Sequence, residues 1–469
     1  MIAKKKARPK TKARRRSTAT RSHSYDVVDA VNRRKQTSSV LKSEDDHLGA
    51  SSRKQLTAET RHAHRNFAIA GWAIRKHLDF VSSFSFSCKS SDREFKRAVE
   101  RYIASRERKY HFDIAGRHPR RRFIRLLEAR RTVDGDIAAL KLASGHLQAI
   151  EGDRIRDPAK MDRGEDWKHG VKTNAAGRAL AYAIHKRTTG GGFEHERTVA
   201  AWKVLHHAHF DRFDQRRGIT PLAAGVASLL DTYETIDYTV AKAKISQLFG
   251  LVVTRDSENP MAPTASTGES ETSTKYEVDF GKGPVYLDMD HGDDAKFLEN
   301  KTPPAELDAF LHHLIAIALK SLDIPYSFYD EAHTNFFGSR SALILYLKSA
   351  QEKRADVRDL LTDWAEWQLA RGIASGELDP PPEDGEILFD WTAAGIPWWN
   401  PTQEVKANAD AVANCFTSRR RVVKETLGED FEDIVEENRE DNQLLADAGL
   451  LEMVPAAAKV AKPPAAAQS

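Results

Sequence analysis

Cysteine is almost missing from this chain. Only Cys88 and Cys415 occur in 469 residues, far apart and with no Cys-x-x-Cys spacing. A disulfide framework or a structural zinc site is therefore not expected, and a reducing cytoplasm is the compartment expected for synthesis. No uninterrupted apolar run approaches the roughly 20 residues that span a bilayer, and no apolar segment follows the basic N-terminus, so neither a membrane partner nor export is expected. No Gly-x-x-x-x-Gly-Lys-Ser/Thr run exists to cradle phosphates; Gly190-Gly191-Gly192 and Gly281-Lys282-Gly283 lack the spacing, which excludes a Walker-type ATPase. Gly-x-Ser-x-Gly, His-Glu-x-x-His and kinase signatures are also missing, so no catalytic residue and no cofactor are assigned.

Acid is missing from the start of the chain. Ten of the 72 Lys and Arg residues precede Asp26 with no acid among them, leaving 62 basic against 68 acidic residues and a formal charge of −6 for the rest. Lys4 to Arg21 reads as a disordered tail with a secondary affinity for polyanions. The mildly acidic body argues against a conventional DNA-binding domain, which needs a concentrated basic face. Arg120, Arg121, Arg122, Arg125, Arg130 and Arg131 could form a phosphate patch, although a solvated helix face is the commoner use of such a run.

What is present is organised around one long helix. Thr220 is a good N-cap and Pro221 falls at the first helical position, where a missing N–H costs nothing. Apolar residues then recur at Leu222, Val226, Leu229, Tyr233, Ile236 and Val240, and the pattern runs to about Phe249. Such a helix is roughly 45 Å long, more than a small core covers, so it must find neighbours in its own chain or another.

Before it, residues 55–78 read as one arginine-rich helix, Phe80–Phe86 as a short strand, and Phe95–Ile103 and Pro119–Arg130 as helices. Strand-like segments follow at Ala138–Leu142, Leu147–Ile150, Ala179–His185 and Val199–Phe210, separated by turn formers. After it come a strand at Leu251–Val253, a polar loop, a strand at Val285–Leu287 and an acidic loop, Asp288–Asp294. A second helix runs from Pro303-Pro304 to Leu322. A third, about 50 Å long, carries Leu343, Leu347, Ala350, Val357, Leu361, Trp364 and Gln368 on one side and halts at Gly372 and Gly376. Trp391–Pro401 reads as a compact turn, Asp410–Arg421 and Glu429–Leu445 as short helices, and residues 454–469 as a disordered tail.

One cluster could carry chemistry. His206, His207 and His209 could bind a metal with help from the acidic loop, which would make the chain a metal-dependent nuclease. Adjacent histidines in a strand-to-loop segment are more often structural, so no metal ligand is assigned. A basic-tailed DNA-binding structural protein is the other alternative.

Taken in order, several segments resemble the lambda-like family of tailed-phage portal proteins. They are Arg65-Asn66 with Gly71-Trp72, Val199-Ala200 with Val204, His206 and Phe210, Arg217-Gly218-Ile219-Thr220-Pro221-Leu222-Ala223, and Leu322-Asp323-Ile324-Pro325-Tyr326. Asn335-Phe336-Phe337-Gly338-Ser339-Arg340-Ser341-Ala342, Gly395-Ile396-Pro397-Trp398-Trp399-Asn400-Pro401 with Glu404, and Gly428-Glu429-Asp430 complete the set. The resemblance implies an α+β portal-protein fold with a β-rich wing, a two-helix stem, a small clip module and a long tunnel helix. It implies a basic arm at 1–54, wing at 55–219, stem helices at 220–250 and 303–324 around a clip at 251–302, and tunnel loop and helix at 325–378. C-terminal wing or crown helices occupy 379–453, with the tail beyond.

The implied function is a dodecameric ring at one capsid vertex, the conduit for double-stranded DNA in packaging and ejection. The implied partners are the terminase large subunit, head-completion proteins and a major capsid or scaffold protein, with assembly in the host cytoplasm and residence in the virion. Lys242, Lys244, Lys320, Arg340 and Lys348 are the expected channel residues, and Leu222, Leu229 and Ile236 the expected ring interface.

Overall fold

The computed structural model describes residues 41–159, 166–248, 251–255, 293–297, 305–330, 336–381, 387–395 and 400–449. The basic arm to residue 40, the strand expected at Val285–Leu287, most of the acidic loop, Pro303-Pro304, residues 331–335 of the expected tunnel loop, Ile396 to Trp399 and the tail lie outside them. The chain divides into two compact units, Met1–Ala227 with Ile317–Ser469, and Ser228–Ala316.

In chain order the elements are α1 Glu44–His47, α2 Ala50–Asn66, α3 Ala68–Val81, β1 Phe84–Cys88, α4 Arg93–Arg106, α5 Lys109–Phe112, α6 Arg120–Asp134, β2 Asp136–Lys141, β3 Leu147–Glu151, β4 Trp167–Lys168, β5 Val171–Thr173, β6 Ala179–Arg187, β7 Phe193–Ala200 and β8 Val204–Ala208. They continue with α7 Val226–Leu248, β9 Leu251–Arg255, β10 Asp293–Phe297, α8 Ala305–Leu319, α9 Phe336–Ser375, β11 Phe389–Ala393, α10 Pro401–Ala413, α11 Arg419–Thr426 and α12 Phe431–Asp447.

In the larger unit the ordered chain reaches back before residue 55, since Leu48 is fully buried and Arg53 Nη1 donates to the Gly218 carbonyl at 2.7 Å. The single helix expected over 55–78 is two, because Phe67 adopts extended backbone between α2 and α3. The expected strand at Phe80–Phe86 begins later. Helix α3 continues to Val81, and β1 pairs antiparallel with β11, a partner 300 residues away that local alternation cannot reveal.

Strand β2 is the middle of a three-stranded antiparallel sheet ordered β3-β2-β8, and its alternation serves two cores. Ile137 and Ala139 join the main core with Val99, Ile103, Ile124 and Leu127, where α9 adds Val357, Leu361 and Trp364. Ala138 and Leu140 face the other way, into a smaller core with Ile150, Ile155, Val171, Tyr182 and Ile184. A period of two thus gives a strand that is buried on both faces. The second sheet, ordered β4-β5-β6-β7, supplies Tyr182 and Ile184 from β6. The strand expected across Val199–Phe210 is divided by a 3₁₀ turn at Ala201–Lys203 into β7 and β8.

Helix α9 has 40 residues and so is about 60 Å long, and it runs through Gly372. A Cβ at Gly372 would lie 2.7 Å from the Tyr102 ring, so this glycine admits an aromatic side chain, and the helix ends near Gly376, at φ +73°. Helices α10 to α12 contain no buried residue. Asn400 and Pro401 begin α10, inside what the sequence presents as an aromatic turn, and α11 begins at Arg419, where the sequence suggests that a helix is ending.

The base of α7 is set by a buried ion pair. Arg217 and Asp136 are 2% and 1% exposed. The Arg217 guanidinium donates from Nε and Nη2 to the two Asp136 oxygens, from Nη2 to the Gly152 carbonyl at 2.7 Å, and from Nη1 to the Ile155 and His169 carbonyls at 2.8 Å each. All five guanidinium N–H donors are used. Asp136 also accepts from the Gly218 amide. A Cβ at Gly218 would lie 2.1 Å from the Gly135 carbonyl oxygen, so only glycine fits there. Thr220 Oγ1 then donates to the Thr132 carbonyl at 2.6 Å and accepts from Leu222 N at 3.1 Å. Thr220 is thus a cap, of a 3₁₀ turn over Pro221–Ala224 that precedes α7.

Replacing Arg217 by Met leaves the Asp136 carboxylate and three carbonyls buried without their donor. We expect the R217M chain to lose about 3–5 kcal/mol of stability, read as a lower urea midpoint; a midpoint within error of the parent would show the pair to be dispensable.

Candidate ring interface and DNA channel

The smaller unit holds most of α7, the pair β9 and β10, and α8. Strands β9 and β10 are antiparallel, with Leu251 opposite Phe297 and Arg255 opposite Asp293. The expected helix, β module, helix order is therefore seen in its described parts.

The seam of α7 changes character along its length. Leu222, Val226 and Leu229 are buried within the chain, so Leu222 and Leu229 do not present the surface expected of them. Beyond them Tyr233, Ile236 and Val240 are 41%, 38% and 45% exposed, and Tyr238 on another face is 72% exposed. Of the three expected interface residues only Ile236 is available to another molecule. Thr232, Thr235 and Thr239 each return their hydroxyl to the carbonyl four residues earlier at 2.7 Å, which satisfies them within the helix and leaves its apolar side chains as the surface on offer.

The five expected channel residues differ in circumstance. Lys242 and Lys244 on α7, Lys320 at the end of α8 and Lys348 on α9 are exposed. Arg340 is half-exposed and its Nη2 lies 3.5 Å from Glu404 on α10. The turn after α8 explains the Leu322-Asp323-Ile324 segment. Asp323 takes a left-handed backbone, Ile324 is fully buried, and the Asp323 carboxylate accepts from Ser349 Oγ at 2.7 Å and Lys353 Nζ at 2.9 Å. Lys353 also donates to the Leu322 carbonyl at 2.7 Å, so the segments carrying Lys320 and Lys348 meet. Gly225 packs against the same turn, since a Cβ there would lie 2.8 Å from Ser321 Oγ.

The histidine cluster is engaged elsewhere. Alternation on β8 sends His206 and His207 to opposite sides. His206 Nε2 is 3.4 Å from Asp136, and His207 Nε2 is 2.6 Å from the fully buried Glu128, whose other oxygen meets His77 Nε2 at 2.7 Å. His209 lies beyond the strand, 3.3 Å from Asp211. Burial alone would raise the Glu128 pKa, but Arg131 beside it and the bonds to His207 and His77 hold it well below the usual carboxylate range. Burial lowers His207. Among the described residues no three His, Cys, Asp or Glu side chains are grouped to hold a metal ion. The sequence offers no sign of the Glu128 partnership, because His77 and His207 are 51 and 79 residues away from it.

The family model described as phage portal protein, lambda family, matches residues 32–353. The chain belongs to the lambda family of phage portal proteins. A portal is the head-tail connector of a phage particle, and that is the function of this chain. Similar solved structures include a chain of the virion of a native gene transfer agent particle, 13% identical, covering 79% of this portal and 93% of that chain with a TM-score of 0.47. A chain of the neck of an empty particle, computed with C6 symmetry, is 14% identical over 78% and 94% with a TM-score of 0.47. A third, from the neck of a native particle computed with C12 symmetry, is 13% identical over 78% and 93% with a TM-score of 0.45. No curated protein matches the chain.

Five histidines of this portal, His64, His169, His185, His207 and His209, have pKa values lowered chiefly by burial. The unfolded chain therefore takes up protons near pH 6.5 that the folded chain refuses, and stability falls as pH drops through that value. Buried carboxyls raised by desolvation, such as Glu107 and Asp134, act in the opposite direction once they titrate, so the test belongs above their range. We expect the urea midpoint to drop between pH 7.5 and pH 6; a midpoint that holds or rises over that interval would contradict the assignment of neutral buried histidines.

Proposed function

We propose that this portal protein assembles head to tail into a closed, dodecameric ring at one capsid vertex, through which double-stranded DNA enters and leaves. The observation that carries this reading is the seam of α7, buried at its base but apolar and partly exposed at Ile236 and Val240. A ring closes by repeating one heterologous interface, so a helix too long for its own core can complete its packing on the next copy. Isolated apolar side chains are ordinary on a surface; a row of them at helical spacing, continuous with a buried row, is a packing face.

The channel assignment rests on the spacing of free lysines. Lys242, Lys244, Lys320 and Lys348 are separated single charges, and Arg340 is partly neutralised by Glu404. Each strongly held phosphate contact adds to salt-dependent affinity, and copies around a ring multiply it, so a conduit works best with few of them. On this reading the chain resides in the virion, takes no catalytic step itself, and docks the terminase large subunit, head-completion proteins and the capsid or scaffold protein. The metal-dependent nuclease reading gains no support from histidines committed to Glu128, Asp136 and Asp211.

Because Leu229 is a core residue, Ile236→Asp is the cleaner test. Negative-stain images of the parent should show rings, and the I236D chain should show at least ten-fold fewer, with the lost mass appearing as monomers or small oligomers. Rings at parental abundance would remove α7 from the interface, and a parent that forms no ring under assembly conditions would overturn the proposal.

A further inference from the structure

Most of the arginine run that begins α6 is committed. Arg120 is buried, with Nη2 on the Phe84 carbonyl and Nε 2.7 Å from Glu107; Arg125 holds Asp79, Arg130 reaches His64, and Arg131 pairs with Glu128 and Asp356. Arg121 and Arg122 alone remain of the six. They do not stand by themselves, because the amide of Arg120 donates to the Glu107 carbonyl at 2.9 Å and so brings the start of α6 against the end of α4.

Four more arginines are exposed on the segments that meet there: Arg97 and Arg101 on α4, Arg108 just beyond it, and Arg117 in the following loop. Arg97 and Arg101 are four residues apart on one face of α4, and Arg108 follows just beyond the helix. Among the described residues none of the six has an acidic side chain within ion-pair distance. The acids nearby have other partners: Asp430, Glu432, Asp433 and Glu436, which line a cleft with Arg97, pair with Lys89, Arg420, Lys96 and Arg93. Glu107 serves Arg120, Glu100 accepts from the Cys88 amide, and Asp113 accepts from the amides of Ala115, Arg117 and His118. Pro119 caps α6 with no side-chain acceptor and its first turn holds no acid, so the positive end of the helix dipole adds to the field.

We propose that this arginine surface on α4 and α6 binds the phosphate backbone of double-stranded DNA outside the channel. Six arginines without acidic partners are more than a single small anion could use, whereas a duplex presents a phosphate charge about every 1.7 Å of its axis. Arginine is suited to this contact because its planar fork meets phosphate oxygens two at a time and gives up its water easily. None of the six residues lies in the segments assigned to the stem or tunnel, so DNA held here is not DNA in transit. The inference rests on the portal reading only for the presence of DNA.

The test uses full-length protein and a fluorescent duplex of about three helical turns, titrated across a salt series. The quadruple variant R97Q/R101Q/R121Q/R122Q should lower the slope of log affinity against log salt by about 3–4 if all four contact phosphates, with at least a ten-fold loss of affinity at moderate salt. The corresponding four Arg→Lys changes should keep most of the slope. An unchanged slope in the Gln variant would assign the DNA affinity to the basic N-terminus and overturn the proposal, as would a Lys variant as weak as the Gln variant. A Gln variant that keeps its duplex affinity but loses poly-glutamate would give the surface to an acidic protein segment instead. Rings counted by negative stain for the parent and each variant report on the portal reading separately.

Discussion

The Arg217 guanidinium is the constraint on which the rest of the larger unit depends. Five donors reach a carboxylate and three carbonyls drawn from β2, the turn after β3, the chain at Ile155 and the left-handed residue His169. A buried ion pair recovers its desolvation cost only when geometry is good and every remaining donor is used, and replacing such a pair by apolar residues is often neutral. Its value here is that it permits one arrangement. The Gly135–Gly218 crossing, where no side chain fits, locks the end of α6 against the segment that leads into α7. The segment leading into α7 is therefore fixed by two glycines and one guanidinium, and Thr220 caps the 3₁₀ turn that precedes the helix.

Local signals in the sequence were informative where local physics decides the outcome. The capping role of Thr220, the seam from Leu222 to Leu229, the helix, β module, helix order and the inward row Val357, Leu361, Trp364 and Gln368 all follow from spacing that a helix imposes on its own residues. The failures share a cause of the opposite kind. Gly372 reads as a stop because glycine usually is one, yet its role is to admit Tyr102, some 270 residues earlier in the chain. Helix α10 has no buried face and so leaves no apolar period to detect. His207 looks like a ligand until Glu128 is seen beside it.

The candidate interface was legible in part for the same reason. Periodicity marks every position on the seam but does not tell which of them the chain covers itself. Leu222, Leu229 and Ile236 are equivalent in sequence and differ in the fold, where the first two are core and the third is uncovered. A seam that outlasts its own core is what a repeating assembly requires of its subunit, since the uncovered stretch must be apolar enough to associate and short enough to leave the monomer soluble while it waits.

Charge in this portal is sorted by residue type. Arg217 is a buried cation with every donor used. The exposed residues proposed to line the channel, Lys242, Lys244, Lys320 and Lys348, are lysines, while the exposed cations proposed to hold a duplex on α4 and α6 are arginines. Lysine is a strongly hydrated point charge that meets phosphate loosely, whereas arginine forms paired, partly dehydrated contacts. A surface meant for passage should carry the first and a surface meant for holding the second.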